Sequence, residues 1–274
     1  MTITDVPAVG TAPTAPPEQR RYRFQSLGTA VIGGVVGYLI GHWAGNVIAS
    51  QYPQTQANGL NDTAIVLGLV FGVVGWLAGV GALNYPLAKI VGREPLAELE
   101  DPSWKRYFKF TLDHKVVGMQ YVIVVLFFLF TGGLMAMGIR TELLTPTTHI
   151  FGPGTYIALV SEHGTIMMMM ASSLVIGPLG NYLVPLMIGS RRMAFPRIEA
   201  WSLWLFAAGY VCILTAIPLG GFPTGWTGYA PLQTQATEGM DSYLVAFGVV
   251  GRYFTNHASI SLGIIGNPLN QSVK

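Results

Sequence analysis

Five long stretches of apolar residues run through the chain. A helix needs roughly 20 mostly apolar residues to cross the hydrocarbon core of a bilayer. The five stretches are Leu27 to Ala49, Ala64 to Ala88, Val116 to Gly138, Tyr156 to Met187 and Trp201 to Pro218. A shorter sixth begins at Ser242 and is a poor span, because Arg252 and Asn256 interrupt it after about ten residues. The pattern predicts an all-α fold, a polytopic transmembrane helical bundle.

Lysine and arginine are concentrated in alternate connections between these stretches. By the positive-inside rule, the basic connections are cytoplasmic. The sequence therefore predicts a multi-pass protein of the inner (cytoplasmic) cell membrane with its N-terminus inside. The basic residues of the predicted inner segments are Arg20, Arg21, Arg23, Lys89, Arg93, Lys105, Arg106, Lys109, Lys115, Arg191, Arg192 and Arg197.

Composition supports this class. Only 10% of the residues are charged and the mean hydropathy is +0.48, whereas soluble domains carry about 25% charged residues. The net charge of +2 comes without a long basic tract, which argues against a nucleic-acid partner. A single cysteine, Cys212, excludes a disulfide within the chain. Residues 1–22 are rich in proline, alanine and threonine and are predicted to be a disordered tail.

The first two spans carry glycine at intervals of four residues. Small residues at this spacing form a groove in which a second helix backbone can approach closely. Residues 23–112 are therefore predicted to form a tightly packed hairpin and an inner basic loop, and a channel-lining role is the alternative. His42 lies on the first span and is either a core or interfacial residue or a ligand. The glycines are Gly33, Gly37, Gly41, Gly45, Gly68, Gly72, Gly75 and Gly79.

The segment SEHGTIMMMM contains Glu162 and His163 within the fourth span. An ionisable residue at membrane depth is costly and marks a functional site by default. Neutral imidazole is also a common ligand of metals and haem iron. His163 is therefore either a core histidine or a ligand. Met167 to Met170 point to four different helix faces, which favours packing, including packing against a flat aromatic group, over a metal cluster.

Five motifs in order, from about Asp113 to Gly251, resemble subunit I of the haem-copper terminal oxidases, the cytochrome c oxidase type. LDHKVVGMQY is similar to the family's DHKxIGxxY, and GIRTEL is similar to IRxEL. EHGTIMMM is similar to the family's histidine followed by a Met-rich turn. GNYLVPLMIGSRRMAFPR resembles GNxxVPLMIGxxDMAFPR, and PTGWTGYAPL resembles GTGWTxYPPL. Residues 113–251 are thus expected to be the N-terminal helices of a subunit I-like domain.

The resemblance implies roles for four residues. His163 falls on the axial ligand of the low-spin haem iron, and Arg140 on the arginine that hydrogen-bonds a peripheral substituent of that haem, often the formyl group of haem A. Trp226 falls on a tryptophan that bonds a propionate of the high-spin haem, with an interfacial anchor as the alternative. Glu142 matches a residue linked to a calcium or sodium site. No catalytic residue is assigned.

Two positions depart from the family. Arg192 stands where the family has the aspartate of an inner proton-uptake channel, and Glu199 stands where it has an asparagine. A cation at a channel mouth repels protons, so that channel is expected to be altered or absent. Asn181 matches another channel asparagine, and its expected role is then packing or water binding.

The family's copper-binding histidines and second axial histidine have no counterpart in residues 252–274, an atypical segment in which His257 is expected to be a loop residue. Three explanations would account for these missing histidines. They are a split subunit, a truncated or frameshifted product, and a divergent module. Copper and a second haem would then come only with residues of other chains.

The leading functional hypothesis is a membrane subunit of a terminal oxidase that passes electrons from cytochrome c or quinol to oxygen. Its expected partners are a subunit II-like protein and a chain that supplies further subunit I helices. One alternative is an electron-carrier cytochrome whose b-type haem is held by His42 and His163. Another is a non-catalytic assembly protein.

Overall fold

The computed structural model describes residues 25–51, 62–93, 103–144, 146, 150–190, 193, 195–229, 239 and 245–246, without the side chains of 169–176. All regular elements within these ranges are helical. The α-helices are α1 (Leu27–Gln51), α2 (Asp62–Val80), α3 (Asn84–Ile90), α4 (His114–Glu142), α5 (Pro153–Leu174), α6 (Val184–Met187) and α7 (Pro196–Ala216). A 3-10 helix spans Trp104–Phe108 and a π-helix spans Val175–Leu183.

Four of these helices, α1, α2, α4 and α7, are long and apolar enough to cross a membrane. The predicted fold class, an all-α polytopic bundle, is thereby confirmed. The predicted tail, the arginines Arg191 and Arg192, and the segment that contains His257 lie outside the described residues, as does all but 245–246 of the predicted sixth stretch.

The second predicted stretch is not one continuous helix. The helix α2 ends at Val80, and Gly81 turns the chain with a φ of 91° before α3 begins at Asn84. A positive φ favours glycine because a Cβ would clash in this conformation. Pro86 then lies in the first turn of α3, where its missing N–H leaves no intrahelical bond unmade.

The fourth predicted stretch is helical from Pro153 to Met187 but changes its winding on the way. Pro178 lies inside the π-helix that separates α5 from α6. Proline removes one backbone donor and clashes with the preceding turn, which is a physical reason for a wider turn at this point.

The helices α1 and α2 form an antiparallel hairpin whose backbones touch. A Cβ at Gly37 would overlap the carbonyl oxygen of Phe71, and one at Gly33 would overlap that of Gly75. The hydroxyl of Thr29 also donates a 2.8 Å hydrogen bond to the carbonyl of Gly79. The two helices thus form a hairpin, and at positions 33 and 37 glycine is needed because no side chain fits between the backbones there.

The helix α4 pairs antiparallel with α5 and the π-helix. Asp113 caps α4 by accepting a 2.9 Å hydrogen bond from the backbone N–H of Lys115. At the same end of the bundle, Gly118 faces Tyr182, and Gly177 faces the ring of Tyr121.

Aromatic side chains join α7 to two other helices. The ring centroids of Phe128 on α4 and Phe206 on α7 are 5.2 Å apart. Those of Trp76 on α2 and Trp204 on α7 are 6.1 Å apart.

Candidate functional site

His163 lies on the side of α5 that faces α4. Its Nδ1 lies 2.9 Å from the backbone carbonyl oxygen of Gly132. A carbonyl can only accept, so Nδ1 carries the proton and Nε2 keeps its lone pair. The contact therefore fixes both the tautomer and the orientation of the ring, as a hydrogen bond to the other ring nitrogen does in metal-bound histidines.

The close approach of α4 and α5 depends on a glycine at position 132. A Cβ at Gly132 would lie 2.9 Å from Sδ of Met167 and 3.2 Å from Cγ2 of Ile166, which is fully buried. The next residue, Gly133, faces open space. The glycine that bonds His163 is thus the one whose missing side chain lets the two helices meet.

The exposed lone pair of His163 fits the haem implied by the sequence resemblance. Iron in a porphyrin already has four nitrogen ligands, so it needs only axial side chains from the protein. No cluster of three or more histidine, cysteine, aspartate or glutamate residues that could hold a bare metal ion occurs among the described residues. A single oriented imidazole is therefore consistent with a haem ligand.

Trp226 packs on α5 at Gly164, the residue that follows His163. Its Cβ and ring pack over Gly164, where an added Cβ would lie 3.4 Å from the tryptophan Cβ. Trp226 is 47% exposed in the chain. Two of the three residues that the resemblance associates with haem, His163 and Trp226, are therefore both placed by α5, although they are 63 residues apart in the sequence.

Arg140 and Glu142 lie at the far end of α4. Arg140 is exposed and follows Gly132 by eight residues, roughly 12 Å along an α-helix. The Glu142 side chain is buried, and its Oε2 accepts hydrogen bonds from the backbone N–H groups of Ile150 (2.8 Å) and Phe151 (2.9 Å). Glu142 thus ties the end of α4 to the start of the α5 segment, and its predicted cation stays a prediction.

Glu162 is only 1% exposed, and neither of its carboxyl oxygens has a hydrogen-bond partner among the described residues. Its Oε1 lies beneath Gly221, where an added Cβ would come within 3.2 Å of that oxygen. The preceding residue, Ser161, accepts a 2.9 Å hydrogen bond from the backbone N–H of Gly225. The face of α5 that carries these residues is covered by the chain that follows α7.

The residues at the family's channel positions lie at the other end of α4. His114 Nδ1 donates to the backbone carbonyl of Asn181 over 3.2 Å, and the Asn181 side chain donates to the carbonyl of Gly177 over 2.9 Å. The Asn181 amide also faces the carboxyl of Glu199. All three side chains of His114, Asn181 and Glu199 are buried. The expectation that a proton channel here is altered or absent stays a prediction.

His42, the other histidine considered as a ligand, stacks on Tyr38 of its own helix, with ring centroids 5.6 Å apart. Its helix, α1, packs along α2, whereas α5 packs along α4. The two histidines of the electron-carrier alternative therefore belong to different helix pairs.

Three features of this site were not identified from the sequence. They are the contact of Gly132 with His163, the contact of Ser161 with Gly225, and the burial of Glu162. The pair Gly132–Gly133 in the middle of an apolar span is a signal that could have indicated close helix contact. Nothing in the sequence indicated which glycine bonds the histidine, because Gly132 and His163 are 31 residues apart.

Known proteins match the same part of the chain. The family model "Cytochrome C and Quinol oxidase polypeptide I" matches residues 116–264, more than half of the chain. The chain is 43% identical over 162 residues to cytochrome c oxidase subunit 1 of Thermostichus vulcanus, covering 57% of this chain and 29% of that protein. It is 38% identical over 150 residues to the same subunit of Synechocystis sp., covering 54% of this chain and 27% of the relative.

A probable quinol oxidase subunit 1 of Staphylococcus aureus is 37% identical over 154 residues, with 54% of this chain and 23% of the relative covered. The chain thus spans less than a third of the length of these relatives. The hairpin of α1 and α2 lies before the residues that the family model matches. The chain belongs to the Cytochrome C and Quinol oxidase polypeptide I family.

Proposed function

We propose that this chain is a membrane polypeptide of a haem-copper terminal oxidase and that His163 binds the iron of its low-spin haem through Nε2. The observation that carries this proposal is the 2.9 Å contact of Nδ1 with the Gly132 carbonyl, which leaves Nε2 as the nitrogen with a free lone pair. Family membership supports the oxidase class, and the relatives named as cytochrome c oxidase and quinol oxidase subunits support electron transfer to oxygen.

The residues of this chain would hold, orient and shield the haem, which is proposed to be of the haem A type. Haem supplies one-electron chemistry when bound. His163 would supply one nitrogen to the iron, and the Gly132 carbonyl holds the orientation of its ring. Trp226 packs on α5 at Gly164 and, by the resemblance, would bond a propionate of the second, high-spin haem. Arg140, at the end of α4, would supply a positively charged hydrogen-bond donor to a polar substituent of the haem.

In this proposal the copper, the other contacts of the second haem and the remaining ligand of the low-spin haem would come from residues elsewhere in the oxidase. Partner subunits of the subunit II type and a donor, cytochrome c or quinol, complete the electron path. Basic connections on one side of the predicted spans favour a multi-pass protein of the inner membrane with its N-terminus inside.

Coexpression with the other oxidase polypeptides, followed by a reduced-minus-oxidised spectrum, tests the proposal. We expect the low-spin haem band to be lost in His163→Ala and kept in the matched variant His42→Ala. A band that survives His163→Ala would overturn the ligand assignment. Loss of the band in His42→Ala alone would instead support the electron-carrier alternative.

A further inference from the structure

The chain that follows α7 forms a strap, residues 217–229, which lies across one face of α5. Two bends hold its shape. Gly220 and Gly221 have φ values of 92° and 70°, and Gly225 and Gly228 have values of 70° and 55°. The backbone N–H of Gly228 donates to the carbonyl of Gly225 over 3.3 Å. Trp226 therefore lies inside a short turn between two glycines.

The strap meets α5 at three successive points. Gly221 lies against Ala158 and Glu162, the N–H of Gly225 donates to the hydroxyl of Ser161, and Trp226 packs over Gly164. On an α-helix, positions 158, 161 and 162 share one face and position 164 borders it. His163 points away from this face, toward Gly132 on α4. One helix thus carries the histidine on one side and the strap on the other.

Ser161 is suited to hold the strap because both functions of its hydroxyl are used. The hydroxyl donates to the carbonyl of Ile157 on its own helix over 2.9 Å and accepts from the Gly225 N–H over 2.9 Å. The first bond fixes the direction of the oxygen lone pairs, and the second uses one of them. The serine is 1% exposed, so water cannot replace it as the acceptor.

Gly164 sets how closely the strap can approach. The distance of 3.4 Å between an added Cβ and Cβ of Trp226 is at the short limit of ordinary contacts. Any larger side chain at position 164 would displace the tryptophan. The hydrogen bond to Ser161 therefore fixes where the strap lies along α5. The missing side chain of Gly164 fixes how closely Trp226 approaches the helix.

We infer that Ser161 and Gly164 are positioning residues that fix Trp226 on α5 at the residue following His163, so that α5 itself sets the relative placement of these two haem-associated residues. The role of Trp226 toward the haem rests on the proposed function, but its placement by Ser161 and Gly164 does not. Neither residue touches the haem in this account. Both act through the strap.

The test uses the full chain in detergent with its six tryptophans replaced by 5-fluorotryptophan. The fluorine resonance of Trp226 is assigned as the one missing from Trp226→Phe. We expect Ser161→Ala to shift or broaden this resonance and Ser161→Thr, which keeps a hydroxyl, to restore it. The matched control is Thr165→Ala, because the Thr165 hydroxyl is equally buried but bonds only to the Ser161 carbonyl within α5.

A second pair of variants keeps the inference testable if Ser161→Ala fails to fold. Gly164→Val should shift the Trp226 resonance, because its methyl groups extend beyond a Cβ that already lies 3.4 Å from Cβ of Trp226, whereas Gly154→Val should not, because a Cβ at position 154 meets no atom within 4 Å. An unchanged Trp226 resonance in folded Ser161→Ala or Gly164→Val would overturn the inference, and so would an equal shift in Thr165→Ala. The resonance requires no haem, so this result is separate from the failure or success of the His163 assignment.

Discussion

Two regions of this chain face the same membrane but are packed differently. In the hairpin of α1 and α2, glycines bring two backbones into contact, and apolar residues cover the remaining surface. In the second region, which runs from the start of α4 to the strap after α7, aromatic side chains join α4 and α2 to α7, and single glycines such as Gly132 let α4 meet α5. Every buried polar or charged residue of the described structure lies in this second region: His114, Gln120, Glu142, Ser161, Glu162, Thr165, Asn181, Ser190, Glu199, Ser202 and Thr224.

The hairpin is packed in a way that serves stability, whereas the second region is packed in a way that can hold a bound group. Backbone contact between glycines needs no buried polar side chain, and it leaves no room for a bound group. Buried polar side chains are costly in a membrane protein and persist where they bind or position something. The region with the polar side chains is also the region that the family model matches. The hairpin, which lies before the matched residues, is accordingly expected to affect stability more than haem binding.

The largest effect on stability should come from the hairpin. Gly37→Ala places a Cβ against the backbone of Phe71, which cannot move without separating the helices. Overpacking of this kind costs about 3 kcal/mol. Gly34→Ala is the matched control, because its Cβ would lie 3.6 Å from the nearest atom outside its own helix. Unfolding in denaturing detergent measures both variants.

Equal stability of Gly37→Ala and wild type would contradict the backbone packing of the hairpin. Loss of the low-spin haem band in this variant, at temperatures where it remains folded, would contradict the separation of the two regions.

The next effect is at the contact between α4 and α5. Gly132→Ala should lower the free energy of unfolding by about 1–2 kcal/mol, because the flexible end of Met167 can move partly out of the way. It should also shift the low-spin haem band, because the carbonyl that orients His163 moves with the helix. In Gly133→Ala the added Cβ meets no atom within 4 Å, so neither the free energy of unfolding nor the low-spin haem band should change. Identical spectra for the two variants would argue against the orienting role of Gly132.

A similar or smaller effect is expected at the end of α4. Glu142→Gln replaces a charged acceptor of two backbone N–H groups with a neutral one, at a cost of about 1 kcal/mol. Thr141→Ala is the neighbouring control, since its exposed hydroxyl bonds only within α4. Thermal unfolding with and without added Ca²⁺ or Na⁺ also tests the predicted cation. Stabilisation by either ion that disappears in Glu142→Gln would support it, and an absence of stabilisation in wild type would exclude it.

The smallest effect should be at a contact that joins the two regions. The guanidinium of Arg197, in the first turn of α7, lies 3.7 Å from the ring centroid of Tyr85 on α3. Tyr85→Leu removes this cation–π contact and should cost about 0.5–1 kcal/mol, whereas Tyr85→Phe keeps the ring and should cost less. Thermal unfolding compares the two. Equal losses would show that the hydroxyl, and not the ring, makes the contact.

The sequence predicted the helices better than the contacts between them. Apolar length and the four-residue glycine spacing identified the hairpin, because both depend on residues close together in the chain. The break of the second stretch at Gly81 depends on one backbone angle and was not predicted. His163 was predicted as a ligand from its motif and its depth, and that role stays a prediction. Its bond to Gly132, the burial of Glu162 and the contact of Ser161 with Gly225 each depend on residues brought together by folding, so periodicity could not reveal them.

The central claim is that Nε2 of His163 binds the low-spin haem iron. Electron paramagnetic resonance of the oxidised complex that contains His163→Gly, with and without added imidazole, tests it most directly. The glycine variant leaves a gap that free imidazole can fill. We predict that the low-spin signal disappears in the variant and returns with imidazole. A low-spin signal that persists in His163→Gly without imidazole would contradict the claim.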